Sequence, residues 1–139
     1  MIYVDTSVAL AYLLVEARRP PAAFWQDTLI SSRLLEYEVR CRLHAHGLSG
    51  GHADAARELL ARIAMVELSP LVLARALEPF PQPIGTLDAL HLASLEFLRQ
   101  RRLAPVLASY DRRMVETARA MGIPIAELHR DTHRTAAAC

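Results

Sequence analysis

The sequence predicts an α/β protein of three layers, α/β/α, built on a central, mostly parallel sheet of about five short strands. Three observations carry that prediction. Short β-favouring apolar runs alternate with stretches of helical periodicity from residue 1 to about residue 128. Capping residues or a proline open several of the helical stretches, and glycine or proline closes others. No repeat, composition shift or linker divides the 139 residues, a length that buries a real core as one domain. Strands alternating with helices imply parallel pairing with helices on both faces. Ligands in such folds sit beyond the carboxyl ends of the strands.

The elements follow in order. Met1-Ile2-Tyr3-Val4 is a first strand ending at Asp5-Thr6-Ser7, and Val8 to Val15 is helical. Arg18-Arg19-Pro20-Pro21 breaks that helix, and Ala22 to Asp27 is a short second one. Thr28–Ser31 reads as a strand, with Ser32 capping a helix to about His46 that Gly47 and Gly50-Gly51 end. His52 to Ala64 is amphipathic helix, Met65–Leu68 a third strand, and Ser69-Pro70 starts a helix with proline at its first position. The proline-spaced Pro79-Phe80-Pro81-Gln82-Pro83 is extended and leads to Gly85. Thr86 to Arg102 is a nearly all-apolar helix, expected at the buried centre. Pro105–Ser109 is a fourth strand, Asp111 to Met121 a helix stopped by Gly122, and Pro124–Ala126 a last short strand. Residues 129–139 lack periodicity and read as a loose tail.

Bulk composition excludes several classes. With 53% hydrophobic residues the chain is not disordered. No apolar run is long enough to cross a bilayer, and no secretory leader is visible. Two cysteines, Cys41 and Cys139, make no disulfide framework, so the expected home is the reducing cytoplasm. The net charge of +1 does not announce a nucleic-acid binder, although every basic residue is arginine.

The chemistry lies in the acids. Asp5 closes the first strand, Asp111 follows the fourth, and Asp88 sits in the first turn of the central helix. Each alone has a plain structural reading, as a cap or as a partner for the positive end of a helix. Glu38 is different. At 100° per residue it falls within the broad apolar side formed by Leu34, Leu35, Tyr37, Val39, Cys41, Leu43 and Ala45, with Glu36, Arg40 and His44 opposite. A carboxylate facing a core needs compensation, either from Arg42 four residues on or from a metal ion. Clustered acids repel one another unless a cation holds them, and Mg²⁺ or Mn²⁺ suits carboxylate and water oxygens. Such a site activates water and stabilises an in-line phosphoryl displacement.

Those residues form a pattern. Ile2-Tyr3-Val4-Asp5-Thr6-Ser7, then Ser32 with Glu38 six residues on, then Leu87-Asp88-Ala89-Leu90-His91-Leu92-Ala93, then Ser109-Tyr110-Asp111-Arg112-Arg113, resembles a PIN-domain ribonuclease. More narrowly, the chain is similar to the VapC-type toxins of bacterial toxin–antitoxin pairs. The resemblance runs from residue 1 to about residue 128, with the motifs in the family's order. It implies that Asp5, Glu38, Asp88 and Asp111 hold Mg²⁺ or Mn²⁺ and cleave RNA. It implies that Thr6 and Ser109 support the site, and it brings with it an antitoxin partner that covers the site and a homodimer. Glu36 also lies in the second motif; helical phase and the distance from Ser32 both select Glu38.

Other residues carry less. His91, three after Asp88, reads as a packed core histidine that could touch the site. Arg112 and Arg113 adjoin Asp111 and could meet phosphates, or be a solvated first turn. His44 and His46 point to different sides of their helix, and the pair His129 and His133 falls in the tail. Phe24 and Trp25 suit either a partner surface or the core. Two further functional classes stay open: a phosphatase with an aspartyl nucleophile, which Ser7 disfavours by standing where a second acid is expected, and a non-catalytic binding module.

Overall fold

The computed structural model describes residues 1–128, so the expected tail from His129 onward lies outside the described residues. Three-residue β1 (Ile2–Val4) lies between β2 (Leu29–Ser32) and β4 (Val106–Ala108), and β3 (Ile63–Val66) lies beyond β2. All pairings are parallel, with Ile2 opposite both Leu29 and Val106. Between these strands run α1 (Thr6–Leu13), a 3₁₀ turn (Ala22–Gln26), α2 (Leu34–Ala45), α3 (Ser49–Ala61), α4 (Pro70–Leu77) and α5 (Thr86–Gln100), and α6 (Arg112–Ala120) follows β4.

Strand alternation makes the three layers. Ile2, Val4, Leu29 and Ala108 point to one face and pack with Val8 and Leu13 of α1, Leu35, Val39 and Leu43 of α2, and Leu59 of α3. Tyr3, Ile30 and Leu107 point to the other and meet Leu92, Leu95 and Leu98 of α5 and Met114 and Ala118 of α6. Both faces are covered, as a parallel sheet requires. Phe24 and Trp25 belong to the first core, at 7% and 6% exposure. They are core residues and not a partner surface.

The strand order decides where a ligand belongs. From β1 the chain winds outward through β2 to β3, then returns to place β4 on the opposite side of β1. The segments leaving β1 and β4 therefore diverge, which opens a crevice at their carboxyl ends. Asp5 directly follows β1, while Ser109 and Asp111 follow β4.

Several expectations need correction. Among the described residues the sheet has four strands, and the expected fifth at Pro124–Ala126 is a single bridge, Leu107 to Ile125. Pro124 lends its carbonyl to Leu107 but has no N–H of its own to extend the ladder. β3 starts at Ile63 rather than Met65, because Ile63 pairs with Leu29 and is buried. Glu67 instead turns outward to Arg33, at 2.6 Å. Gly47 alone ends α2, at φ +67°, a conformation glycine adopts freely. Gly50 and Gly51 run inside α3. The buried stripe of α2 is narrower than expected: Leu35, Val39 and Leu43 are buried, whereas Tyr37, Cys41 and Ala45 are exposed. In α5 burial runs from His91 to Leu98, and the first turn lies near the surface with Leu87 48% exposed. Among the described residues no helix is long and apolar enough to cross a membrane.

Candidate active site

A cleft of about 340 Å³ opens at the crevice between the ends of β1 and β4. Asp5, Glu38, Asp88 and Asp111 all line it, together with Thr6, Ser7, Leu10, Cys41, Arg42 and Leu87. All four candidate acids thus come to one place, from four different segments. A larger cleft near the end of the described chain, about 990 Å³, is lined by one acid, Glu127.

Asp5 is 5% exposed and caps α1, because the chain turns out of β1 in an extended conformation directly before the helix. Its Oδ2 accepts from the Ser7 hydroxyl at 2.6 Å, the Ser7 N–H at 3.3 Å and the Ser109 hydroxyl at 2.8 Å. Its Oδ1 takes no donor among the described residues. Ser109 also accepts the Asp111 N–H at 3.0 Å, and Ser7 accepts the Tyr110 N–H at 2.9 Å. The hydroxyls therefore lock the end of β4 to the start of α1. Asp111 caps α6 in turn, its Oδ1 accepting from the Met114 N–H at 3.0 Å.

Glu38 does not draw its compensation from Arg42. Arg42 lines the cleft but makes no ion pair with it among the described residues. Instead Glu38 Oε1 accepts from the Thr6 hydroxyl at 3.0 Å and from His91 Nε2 at 2.6 Å. Its side chain is 18% exposed. Glu36 lies on the outer side of α2, 35% exposed, and pairs with Arg33 at 3.4 Å and Arg40 at 3.7 Å.

A rule emerges from these contacts. Asp5, Glu38 and Asp111 each have one carboxylate oxygen engaged by protein donors and one left bare among the described residues. Asp88, at N3 of α5, accepts no side-chain hydrogen bond among the described residues. Burial first, and then the charges of Asp111, Asp5 and Glu38, raise its carboxyl above the ordinary carboxylate value, with His91 offsetting part of the effect.

That shift has a testable sign. A carboxyl raised on folding gives its stabilisation below the unfolded value of about 3.9 and loses it as pH climbs through the folded value. In EDTA, Asp88→Asn is therefore expected to melt at or above wild type at neutral pH, with the advantage shrinking as pH falls toward about 4. Thermal melts across that range read it. A constant loss of ~0.3–1 kcal/mol at every pH would instead mark Asp88 as a partner of the helix dipole.

Sequence reasoning missed two supports and understated a third. Ser7 gives Asp5 two hydrogen bonds, although its position after Asp5 looked like ordinary helix opening. Tyr3 lies fully buried behind the cleft, its hydroxyl 2.9 Å from His91 Nδ1. Burial, and secondarily the Asp5 charge, push that hydroxyl far above the usual tyrosine range, so it remains a proton donor. His91 is 1% exposed and joins Tyr3 to Glu38, which is more than core packing. Of the arginines expected at the mouth, Arg112 is exposed and paired with Glu116 at 2.8 Å, and Arg113 is exposed.

With this geometry in view, the PIN-domain family matches residues 2–120, a span holding all four acids. The chain belongs to the PIN-domain family. This PIN domain is 28% identical over 131 residues to Ribonuclease VapC35 of Mycobacterium tuberculosis, a match covering 90% of this chain and 95% of the relative. The match is the same for that protein from strain CDC 1551 / Oshkosh and from strain ATCC 25618 / H37Rv.

Proposed function

We propose that this protein is an endoribonuclease, the toxin of a toxin–antitoxin pair, which hydrolyses RNA phosphodiester bonds at the acidic cleft with Mg²⁺ or Mn²⁺. One observation carries the reading: four carboxylates meet at the sheet's switch point, three of them with one oxygen engaged and one bare. Membership of the PIN-domain family and the likeness to a protein named a ribonuclease support it.

The donor set fits a hard divalent cation. Carboxylate oxygens are the preferred ligands of Mg²⁺ and Mn²⁺, and a positive charge relieves the repulsion that, after burial, raises Asp88. Among the described residues no group of three acidic, histidine or cysteine side chains is placed to hold a metal ion as it stands. Mg²⁺ keeps several of its waters, and the acids would reach it partly through them. Asp5, Glu38, Asp88 and Asp111 would hold the ion. When bound it supplies Lewis acidity at the phosphate and an activated water for in-line attack.

The chain's own residues do the rest. Ser7 and Ser109 fix Asp5, and Thr6 fixes Glu38, so the bare oxygens keep their places as substrate arrives. Arg113, and Arg112 once released from Glu116, meet the phosphates on either side of the scissile bond. The cognate antitoxin covers the cleft, the toxin works as a homodimer, and both act in the cytoplasm. Leu71, Leu73 and Leu77 of α4, exposed at 65%, 43% and 87%, supply apolar surface of the kind partners cover.

Purified protein is expected to cleave RNA with Mg²⁺ or Mn²⁺ and to stop in EDTA, followed by gel electrophoresis of a labelled transcript. Full activity in EDTA would sink the metal mechanism. Hydrolysis of a simple phosphomonoester, with RNA left intact, would move the protein to the phosphatase class.

A further inference from the structure

His91 lies behind the cleft at 1% exposure, yet it grips an acid that opens into the cleft. A carboxylate only accepts hydrogen bonds, so the 2.6 Å contact to Glu38 Oε1 requires a hydrogen on Nε2. On the ring's other side, Nδ1 faces the Tyr3 hydroxyl at 2.9 Å, and that hydroxyl oxygen accepts the Ser32 N–H at 3.2 Å. One order of donors satisfies every group: Ser32 N–H to Tyr3, Tyr3 O–H to Nδ1, Nε2–H to Glu38. The Tyr3 ring also stands edge-on to the imidazole, with centroids 5.9 Å apart and planes at 86°. Glu38 and Tyr3 therefore set the tautomer together, and Tyr3 braces the tilt of the ring.

We infer that His91 is a positioning residue: its Nε2–H and the Thr6 hydroxyl together pin Glu38 by Oε1, leaving Oε2 for the metal ion, while Tyr3, held by Ser32, keeps the imidazole proton on the side of Glu38. The inference rests on the acidic cleft being a metal site. A satisfied core histidine needs only some partner for each nitrogen. Here one partner is the cleft acid itself, and the other is tied to Ser32, two residues before the helix carrying that acid. Glu38 is thereby anchored at two levels, through the end of β2 at Ser32 and through its own carboxylate. Groups that orient a metal's ligands in this way typically change metal affinity when they are lost.

Mn²⁺ binding to the full chain, measured by electron paramagnetic resonance of the free ion, tests the inference without relying on activity. His91→Phe keeps a ring of similar size but no donor, and should weaken Mn²⁺ binding by ~10–100-fold. His91→Gln restores an N–H near the Nε2 position and should recover much of the affinity. Tyr3→Phe should weaken binding less, and should shift the ¹⁵N resonances of the His91 ring as its tautomer is released. A purely structural histidine would lower the metal-free melting temperature of these variants and leave Mn²⁺ affinity within about twofold of wild type, outside the range for a lost orienting group. That result, or a His91→Gln protein as weak as His91→Phe, overturns the inference. Should His91→Phe not fold, Tyr3→Phe decides: unchanged affinity and unchanged ¹⁵N shifts reject the role. Failure of wild type itself to bind Mn²⁺ is a separate result, which removes the metal site and this inference with it.

Discussion

Asp5→Asn is expected to lower metal-dependent RNA cleavage by more than about 100-fold, beyond the ~10–100-fold typical of losing a residue that only orients a ligand. The reason lies in how Asp5 is divided. Three donors converge on Oδ2, from the Ser7 hydroxyl, the Ser7 N–H and the Ser109 hydroxyl. An amide oxygen can take over that position and keep α1 capped. The amide NH₂ then occupies the place of the bare Oδ1, turning an acceptor into a donor aimed where a cation should sit. The fold is preserved and the site is lost. Melting in EDTA should therefore move little, while cleavage of a labelled RNA disappears. Retention of more than about a tenth of wild-type activity would remove Asp5 from the machinery, since it would be too small an effect for a direct ligand.

A comparably large contrast is expected within one helix. Glu38→Gln should cost at least ~10–100-fold in activity, because its amide replaces the bare Oε2 while the charge is lost. Glu36→Gln should leave activity nearly unchanged. Glu36 makes partly exposed pairs with Arg33 and Arg40, and exposed pairs of this kind contribute about 0–1 kcal/mol to stability. Parallel cleavage assays on the two variants, with circular dichroism to confirm folding, read the contrast directly. Equal effects, or the reverse order, would show that the inward carboxylate of α2 has been misassigned.

Much of this site was legible before any coordinates. Asp5 and Asp111 follow runs of strand character, and parallel strands deliver such residues to a common edge. Counting by 100° put Glu38 inward and Glu36 outward, as the structure has them. The same count overestimated the buried side of α2, because Tyr37 and Cys41 are apolar by type but flank a stripe only as wide as Leu35, Val39 and Leu43. The start of β3 was hidden for a related reason. Ala61-Arg62-Ile63-Ala64 continues a helical pattern without interruption, and only pairing with Leu29 turns Ile63 into a strand residue. The role of His91 had only one local signal, its place three residues after Asp88. Its partners are 88 and 53 residues away in sequence, and no periodicity reports which groups a fold will set on either side of an imidazole.

The position of β1 bears on when the cleft is complete. β1 precedes its second neighbour, β4, by about a hundred residues, and α6 alone of the named helices and strands follows β4 among the described residues. Until β4 docks, one edge of β1 stands open, and Ser109 cannot reach Asp5. A nascent chain carrying residues 1–105 already holds Asp5, Glu38 and Asp88, but it lacks Asp111 and the hydroxyl that fixes Asp5. The cleft is therefore completed only once Ser109 and Asp111 are in place, so that a copy truncated before them holds an unfinished cleft.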